Sequence, residues 1–229
     1  MPNEIIPYIE MCRREGVSLQ RGMNYELRDN HSVILMSVRP GAPYADRFEG
    51  DGSTIIYEGH DIPQSSHIRD PKNVDQPETT PAGQLTENGK FHKAARDFKA
   101  GTRRPERVRV YEKIEQGIWS YNGVFHLLDA WQETSNGRQV FKFKLVAVEG
   151  EEDFAQPVPD KSKMRRVIPT WVKLEVWKRD GGKCARCRAS EDLHFDHVIP
   201  WSRGGSSNTP ENIQLLCGKH NIEKHDKIE

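Results

Sequence analysis

Residues 184–221 read CARCRASEDLHFDHVIPWSRGGSSNTPENIQLLCGKHN, and this stretch decides how the C-terminal part of the chain folds. Cys184 and Cys187 are two residues apart, as are Cys217 and His220, and 29 residues separate the two pairs. Each pair makes one knuckle, and together they offer three thiolates and one imidazole, a donor set suited to tetrahedral zinc. A module of about 50 residues buries too little apolar surface to be stable alone, so a bound ion supplies the missing folding energy. His225 is the competing fourth ligand. Cysteine spacing of this kind also suits a zinc ribbon without chemistry, so the residues between the knuckles carry the functional reading. They place Asp196 beside His197, then Pro200, a Gly204-Gly205 turn and Asn212, with Asn221 directly after His220. His194 alternates with Asp196 on the expected strand and reads as a packing or hydrogen-bonding histidine. Arg203, Lys219 and Lys224 are basic groups of the same surface, either set against phosphate or simply solvated.

Upstream, Pro169 opens a helix running through TWVKLEVWKRD, which Gly181-Gly182 ends. Before it, EGEEDFAQPVPDKSKMRR at 149–166 interrupts all periodicity and reads as a linker, taken at 151–166. The chain is therefore expected to divide into residues 1–150, the linker, and 167–229. In the first part short alternating or β-branched runs dominate: SVILMSV at 32–38, TIIY at 54–57, RVRVYEKI at 107–114, GIWSY and GVFHLLDAW between 117 and 131, and QVFKFKLVAV at 139–148. Turns are expected at Tyr121-Asn122-Gly123 and Ser135-Asn136-Gly137, giving a curved antiparallel sheet or barrel. Helices are expected near Pro2–Glu15 and Phe91–Lys99. The segment 59–84, rich in Pro, Asp and Ser, is too long for an idle connection and reads as a functional loop rather than a disordered insert.

Composition sets the outer limits. The 229 residues exceed one ordinary domain of about 100–150 residues. Hydrophobic content is 35% and charged content 30%, with no apolar run near the ~20 residues of a membrane span. The N-terminus has acids among its apolar residues and lacks a signal-peptide core, which points to an intracellular protein. Formal charge is zero, but the distribution is uneven: ten Lys/Arg against two acids from Lys161 to Arg188, and nine against three from Lys90 to Lys113. Such runs are often solvated faces, yet here two of them in one chain suit local phosphate contact.

The Asp196-His197 pair, Asn212 before Leu215-Leu216-Cys217, and Asn221 after the fourth knuckle residue resemble the HNH (ββα-metal) nuclease family, in its zinc-binding, McrA-like branch. The resemblance covers roughly residues 169–228 and departs in one place, because His220 stands where Cys is common. It implies that His197 is the general base, since neutral imidazole accepts a proton from water near physiological pH. It also implies that Asp196 and Asn221 hold a catalytic Mg²⁺ or Mn²⁺, that Asn212 pins the loop carrying His197, and that zinc at Cys184, Cys187, Cys217 and His220 is structural.

The succession Tyr44-Ala45-Asp46, Asp51-Gly52, Tyr57-Glu58-Gly59 and the later strands look like the SRA (YDG) domain, a base-flipping reader of 5-methylcytosine, over about residues 10–149. By this resemblance Tyr44 and Tyr57 sandwich a flipped base and Asp46 accepts from its N4 amino group, with Asp51 as the alternative. The two resemblances together imply an α+β protein: an SRA-like curved β-barrel with flanking helices, followed by a zinc-bound ββα-metal module. They imply a modification-dependent restriction endonuclease of the prokaryotic cytoplasm. Its partner is double-stranded DNA bearing 5-methylcytosine or 5-hydroxymethylcytosine, and it acts as a homodimer, because one HNH site cuts one strand. Two other readings remain: an HNH nuclease indifferent to modification, and a non-catalytic methyl-DNA binding protein.

Overall fold

The computed structural model describes residues 2–28, 31–49, 52–65, 68–148 and 167–224. The chain is a mixed α+β protein with ten strands and four helices among these residues. It divides into two compact units. One gathers residues 1–18, 111–123 and 166–229, and the other residues 19–110 and 124–165. Residues 1–18 and 111–123, expected with the first domain, thus cluster with the C-terminal segment. The expected linker at 151–166, Asp51 and His225 lie outside the described residues.

In the first unit, strand β1 (Glu4–Pro7) explains that clustering. It pairs antiparallel with β7 (Ile118–Ser135) through Glu4↔Tyr121 to Pro7↔Ile118, and with β9 (Leu193–His197) through Glu4↔His194 and Ile5↔Leu193. The N-terminus therefore begins as a strand. The helix expected from Pro2 starts only at Tyr8, as α1 (Tyr8–Glu15), and Gly16 ends it with a φ of 68°. Strand β10 (Ile213–Cys217) pairs with β9 in register from Ile213↔His197 to Cys217↔Leu193, and α4 (Gly218–Lys224) follows directly. Helix α3 (Thr170–Asp180) begins one residue after the expected Pro169, which serves as its N-cap, and ends at Gly181 as expected. A single apolar cluster joins these elements: Val172 and Val176 from α3, Leu193 and Phe195 from β9, Ile213, Leu215 and Leu216 from β10, and the thiol-bearing Cys184 and Cys217.

One feature of this core is ionic. Lys173 and Glu112 are both fully buried, with Lys173 Nζ donating to Glu112 Oε2 at 2.7 Å and to Asn122 Oδ1 at 2.6 Å. Asn122 Nδ2 and the Thr170 hydroxyl donate to the same carboxylate. Removing one member leaves the other charge desolvated and unpaired, at a cost of about 3–5 kcal/mol. Chemical denaturation of Lys173→Met should show a loss of that order, and the double change Lys173→Met/Glu112→Leu a smaller one. A double mutant as unstable as the sum of its singles would contradict this coupling.

The Tyr121-Asn122-Gly123 turn is not formed. Residues 118–135 make one continuous strand, because Asn122 spends its side chain on Glu112 and Lys173, and Gly123 bends the strand at a φ of 90° instead of reversing it. The Ser135-Asn136-Gly137 turn does form, with positive φ at Asn136 (51°) and Gly137 (79°).

The second unit contains β2 (Met23–Arg28), β3 (His31–Met36), β4 (Arg47–Glu49), β5 (Thr54–Glu58) and β8 (Arg138–Ala147). The first half of β6 (Glu106–Glu115) and the second half of β7 belong to it too. β8 lies between β7 and β5, β5 between β8 and β4, and β3 between β6 and β2. Helix α2 (Glu87–Lys99) starts four residues before the expected Phe91, because the Thr86 hydroxyl accepts from Gly89 N and caps it. Phe91, Ala94 and Ala95 are its buried apolar side chains, and Phe91 meets Phe143 edge-on at 5.8 Å. The long segment after β5 is ordered by specific bonds: Arg138 donates to Pro71 O, Val74 O and Asp61 Oδ1, while Gln76 is held between Gly59 O and Phe141 N.

Candidate functional site

The C-terminal knuckles converge. The metal-binding atoms of Cys184, Cys187, Cys217 and His220 all lie within 4.8 Å of one another. His220 Nδ1 is 3.4 Å from both Cys184 Sγ and Cys217 Sγ, and Cys187 Sγ is 3.8 Å from Cys217 Sγ. Burial pushes the Cys184 thiol up, but hydrogen bonds from the Cys187, Cys217 and Arg186 backbones and from His220 outweigh it and bring the pKa down to about 6. A thiolate at neutral pH, with soft neighbours at these distances, is what a tetrahedral zinc ion needs.

Beside the knuckles, β9 carries Asp196 and His197, β10 supplies the partner strand and α4 the helix, which is the ββα arrangement. Lys224, 1% exposed, places Nζ 2.6 Å from His197 O and 2.9 Å from Asp196 Oδ2. The second contact is an ion contact rather than an aligned hydrogen bond. Asn221 precedes Lys224 by three residues on α4, so it shares the helix face that Lys224 turns toward β9. His197 is half-buried, and desolvation lowers its pKa below the ordinary imidazole value against the opposing pull of Asp196. Its Nε2 lies 2.8 Å from Ser207 Oγ.

Asn212 holds the intervening loop at three points. Its Oδ1 accepts from Ile199 N at 2.8 Å, and its Nδ2 donates to Ile199 O at 3.1 Å and Ser206 O at 2.9 Å. Gly205 is needed for this closure: a Cβ there would sit 1.8 Å from Ile199 O and 2.8 Å from Asn212 Nδ2. On the far side Arg179 donates to Pro210 O and Ile213 O, and Asp180 Oδ2 accepts from Leu215 N, fastening α3 to β10.

Residues 184–227 match the HNH endonuclease family. These residues form an HNH endonuclease domain, and the knuckles, the strand pair and the short helix fall inside them. No curated protein sequence matches the chain. Solved structures similar to it include the SRA domain of SUVH5 in complex with hemi-methylated CG DNA, at 23% identity and a TM-score of 0.43, covering 66% of this chain and 90% of that one. Another is the modification-dependent TagI restriction endonuclease, at 18% identity and a TM-score of 0.45, covering 97% and 76%. A third is the Type IV phosphorothioation-dependent restriction endonuclease ScoMcrA, at 15% identity and 0.44, covering 99% of this chain and 55% of that one.

In the other unit, Tyr44 is half-buried and stacks on His60, with ring centroids 5.1 Å apart and planes 12° apart. Lys72 Nζ lies 4.0 Å from the Tyr44 ring centre and 2.8 Å from Asp61 Oδ2. His60 Nε2 is 2.9 Å from Tyr57 OH, so both tyrosines meet at His60, a residue the sequence reading passed over. Desolvation lowers His60 to about 4, which keeps its ring neutral at pH 7.

Tyr57, however, is 1% exposed and has no face open to a base, because β5 is covered on both sides. Asp46 spends Oδ1 on Glu58 N at 3.0 Å and Oδ2 on Ser37 N at 3.2 Å, and burial raises it to about 7. Asp46 thereby ties the segment after Tyr44 to Ser37 and Glu58, and Tyr57 reaches Tyr44 through His60. His60 also lines a cleft of about 470 Å³ with Arg21, Asp61, Glu87, Asn88 and Lys90.

His194, the spare histidine of β9, is buried with Nε2 3.2 Å from Asp192 Oδ1, in line with its packing role. Lys224 is not the solvated cation considered from the sequence. Ser207 carried no recognisable signal, since a serine in a Gly-Ser loop is unremarkable until the fold returns it to His197.

Proposed function

We propose that the chain is a modification-dependent restriction endonuclease, cutting DNA at or near a flipped 5-methylcytosine or 5-hydroxymethylcytosine, and working as a homodimer so that two HNH sites cleave two strands. The observation that carries the cutting chemistry is the half-buried His197 beside Asp196, fixed on β9 by Lys224 and by the loop that Asn212 pins. His197 accepts the proton of the attacking water, and Asn212 keeps its loop in place. Asp196 and Asn221 would hold a divalent cation, which when bound neutralises the scissile phosphate and the departing 3′ oxygen. Lys224 holds the strand carbonyl beneath His197 and leaves the rest of the Asp196 carboxylate for that ion. The zinc knuckles set where β10 ends and α4 begins.

For the reader, Tyr44 offers the stacking ring, backed by the neutral His60, which Tyr57 bonds, while Asp46 ties the segment after Tyr44 to Glu58. Base–aromatic stacking is worth about 1–3 kcal/mol, so losing the ring should weaken recognition about 5- to 150-fold. Matched methylated and unmodified duplexes, digested in Mn²⁺ by the wild type and by Tyr44→Ala, test this. The wild type should cut the methylated duplex in marked preference, and Tyr44→Ala should lose most of that preference while retaining zinc. Equal cutting of both duplexes by the wild type would leave an HNH nuclease indifferent to modification.

A further inference from the structure

We propose that Ser207 is the positioning residue of the reaction: its hydroxyl takes the Nε2–H of His197 and thereby holds the imidazole in the one tautomer able to act as base. The proposal rests on His197 being the general base. Ser207 Oγ is 2.8 Å from His197 Nε2, and Ser207 is itself 4% exposed. Nε2 is thus closed off by a buried hydroxyl. Among the described residues no hydrogen bond reaches His197 Nδ1. With Nε2 taken, Nδ1 is the nitrogen left to meet water.

The rest follows from the chemistry of a neutral imidazole, which carries its proton on one nitrogen and its lone pair on the other. A base that works through Nδ1 must keep its proton on Nε2. A serine hydroxyl can take either part in its bond to the ring, and with Nε2 protonated Ser207 Oγ is the acceptor. When Nδ1 takes one proton of water, the hydroxide forms its bond to phosphorus as the P–O3′ bond breaks, the 3′ oxygen leaves and takes a proton from solvent, and the ring becomes a cation whose Nε2–H Ser207 still accepts. The same bond fits both ends of the step. Any Ser207 hydroxyl that instead donated to Nε2 would put the proton on Nδ1 and block it.

The loop is built to deliver that hydroxyl. Asn212 Nδ2 grips Ser206 O, one residue before Ser207, and Asn212 binds Ile199 on both its N–H and C=O, two residues after His197. Gly205 permits the closure, since any Cβ there collides with Ile199 O. Asn212 thus acts on His197 from both directions, through the chain after it and through the serine that faces it.

The test uses the full, zinc-loaded chain. Ser207→Ala should lower kcat about 10- to 100-fold, the usual cost of removing an orienting partner, with KM for DNA unchanged, and Ser207→Thr should restore most of the rate. Independently of activity, ¹⁵N shifts of the His197 ring should report Nε2–H in the wild type and in Ser207→Thr, and a tautomer mixture in Ser207→Ala. A Ser207→Ala enzyme at wild-type kcat, or a wild-type ring protonated on Nδ1, overturns the proposal, and the ring shifts decide even where the alanine variant folds poorly. If His197→Ala is inactive while Ser207→Ala is unaffected, the base stands and the serine falls. If His197→Ala cuts at the wild-type rate, both fall together.

Discussion

Stripping the metal with a strong chelator, or replacing Cys217 with Ser, should unfold the HNH domain rather than merely slow it. Cys184 and Cys217 are members of the same apolar cluster as Phe195, Leu215 and Val176, so the ion site is part of the core and not an appendage to it. β9 is five residues long, β10 five and α4 seven, and elements this short have little stability of their own. Structural zinc contributes about 10–16 kcal/mol of apparent binding free energy at neutral pH, which equals or exceeds the whole stability of an ordinary domain, about 5–15 kcal/mol. Hydrogen exchange should show the amides of Leu215, Leu216 and Cys217 protected in the zinc-loaded protein and exchanging freely after chelation. Metal analysis should return one tightly held zinc per chain. Native-like protection in a metal-free sample would show that the cluster is a passive neighbour of a self-sufficient core.

The second large effect is catalytic. His197→Ala should reduce turnover about 10²- to 10⁴-fold, the range that a positioned acid or base contributes, while leaving zinc content and DNA binding in place. Binding is expected to survive because the side chain sits largely inside the loop it faces, against Ser207, and its removal takes away no cation. Single-turnover cleavage of a modified duplex, with binding measured separately by fluorescence anisotropy, distinguishes a chemical defect from a binding one. Equal rates for His197→Ala and wild type would withdraw the base assignment, and with it the reason for Asn212 to pin the loop.

Much of this site was legible in the chain itself. The four knuckle residues converge as their spacing required, because two short-range turns each bring a pair together and a strand hairpin brings the pairs to one place. Helix α3 appears where Pro169 and Gly181 bracket it, since a proline with fixed φ and a glycine at a φ of 63° are local devices that act without help from afar. The strands at 31–36, 54–58, 106–115 and 138–147 follow runs rich in β-branched and aromatic residues.

Where local signals met a long-range partner, the partner won. Asn122-Gly123 is a good turn on its own, yet Asn122 is taken by Glu112 and Lys173, and a buried charge pair outweighs a turn preference. Residues 4–7 look like the start of a helix but gain strand partners on both sides, β7 and β9. Asp46 and Tyr57 occupy the places in the sequence that the SRA resemblance gives to reading groups, and the fold gives Asp46 the amides of Ser37 and Glu58 and buries Tyr57 against His60. Lys224 passes for a surface cation until α4 turns it onto Asp196 and the His197 carbonyl.

By itself, then, the sequence determined the chemistry available: which side chains form the two knuckles, which imidazole stands beside which carboxylate, and which residues start and stop elements. These depend on residue type and on neighbours a few positions away. Only the tertiary structure decided orientation, namely which nitrogen of His197 meets Ser207, which basic side chain reaches Asp196, and which ring stacks on Tyr44. Those are set by contacts across ten or more residues, such as His197 with Ser207 and Lys224 with His197, and no local propensity encodes a contact whose partners meet only once the core has formed.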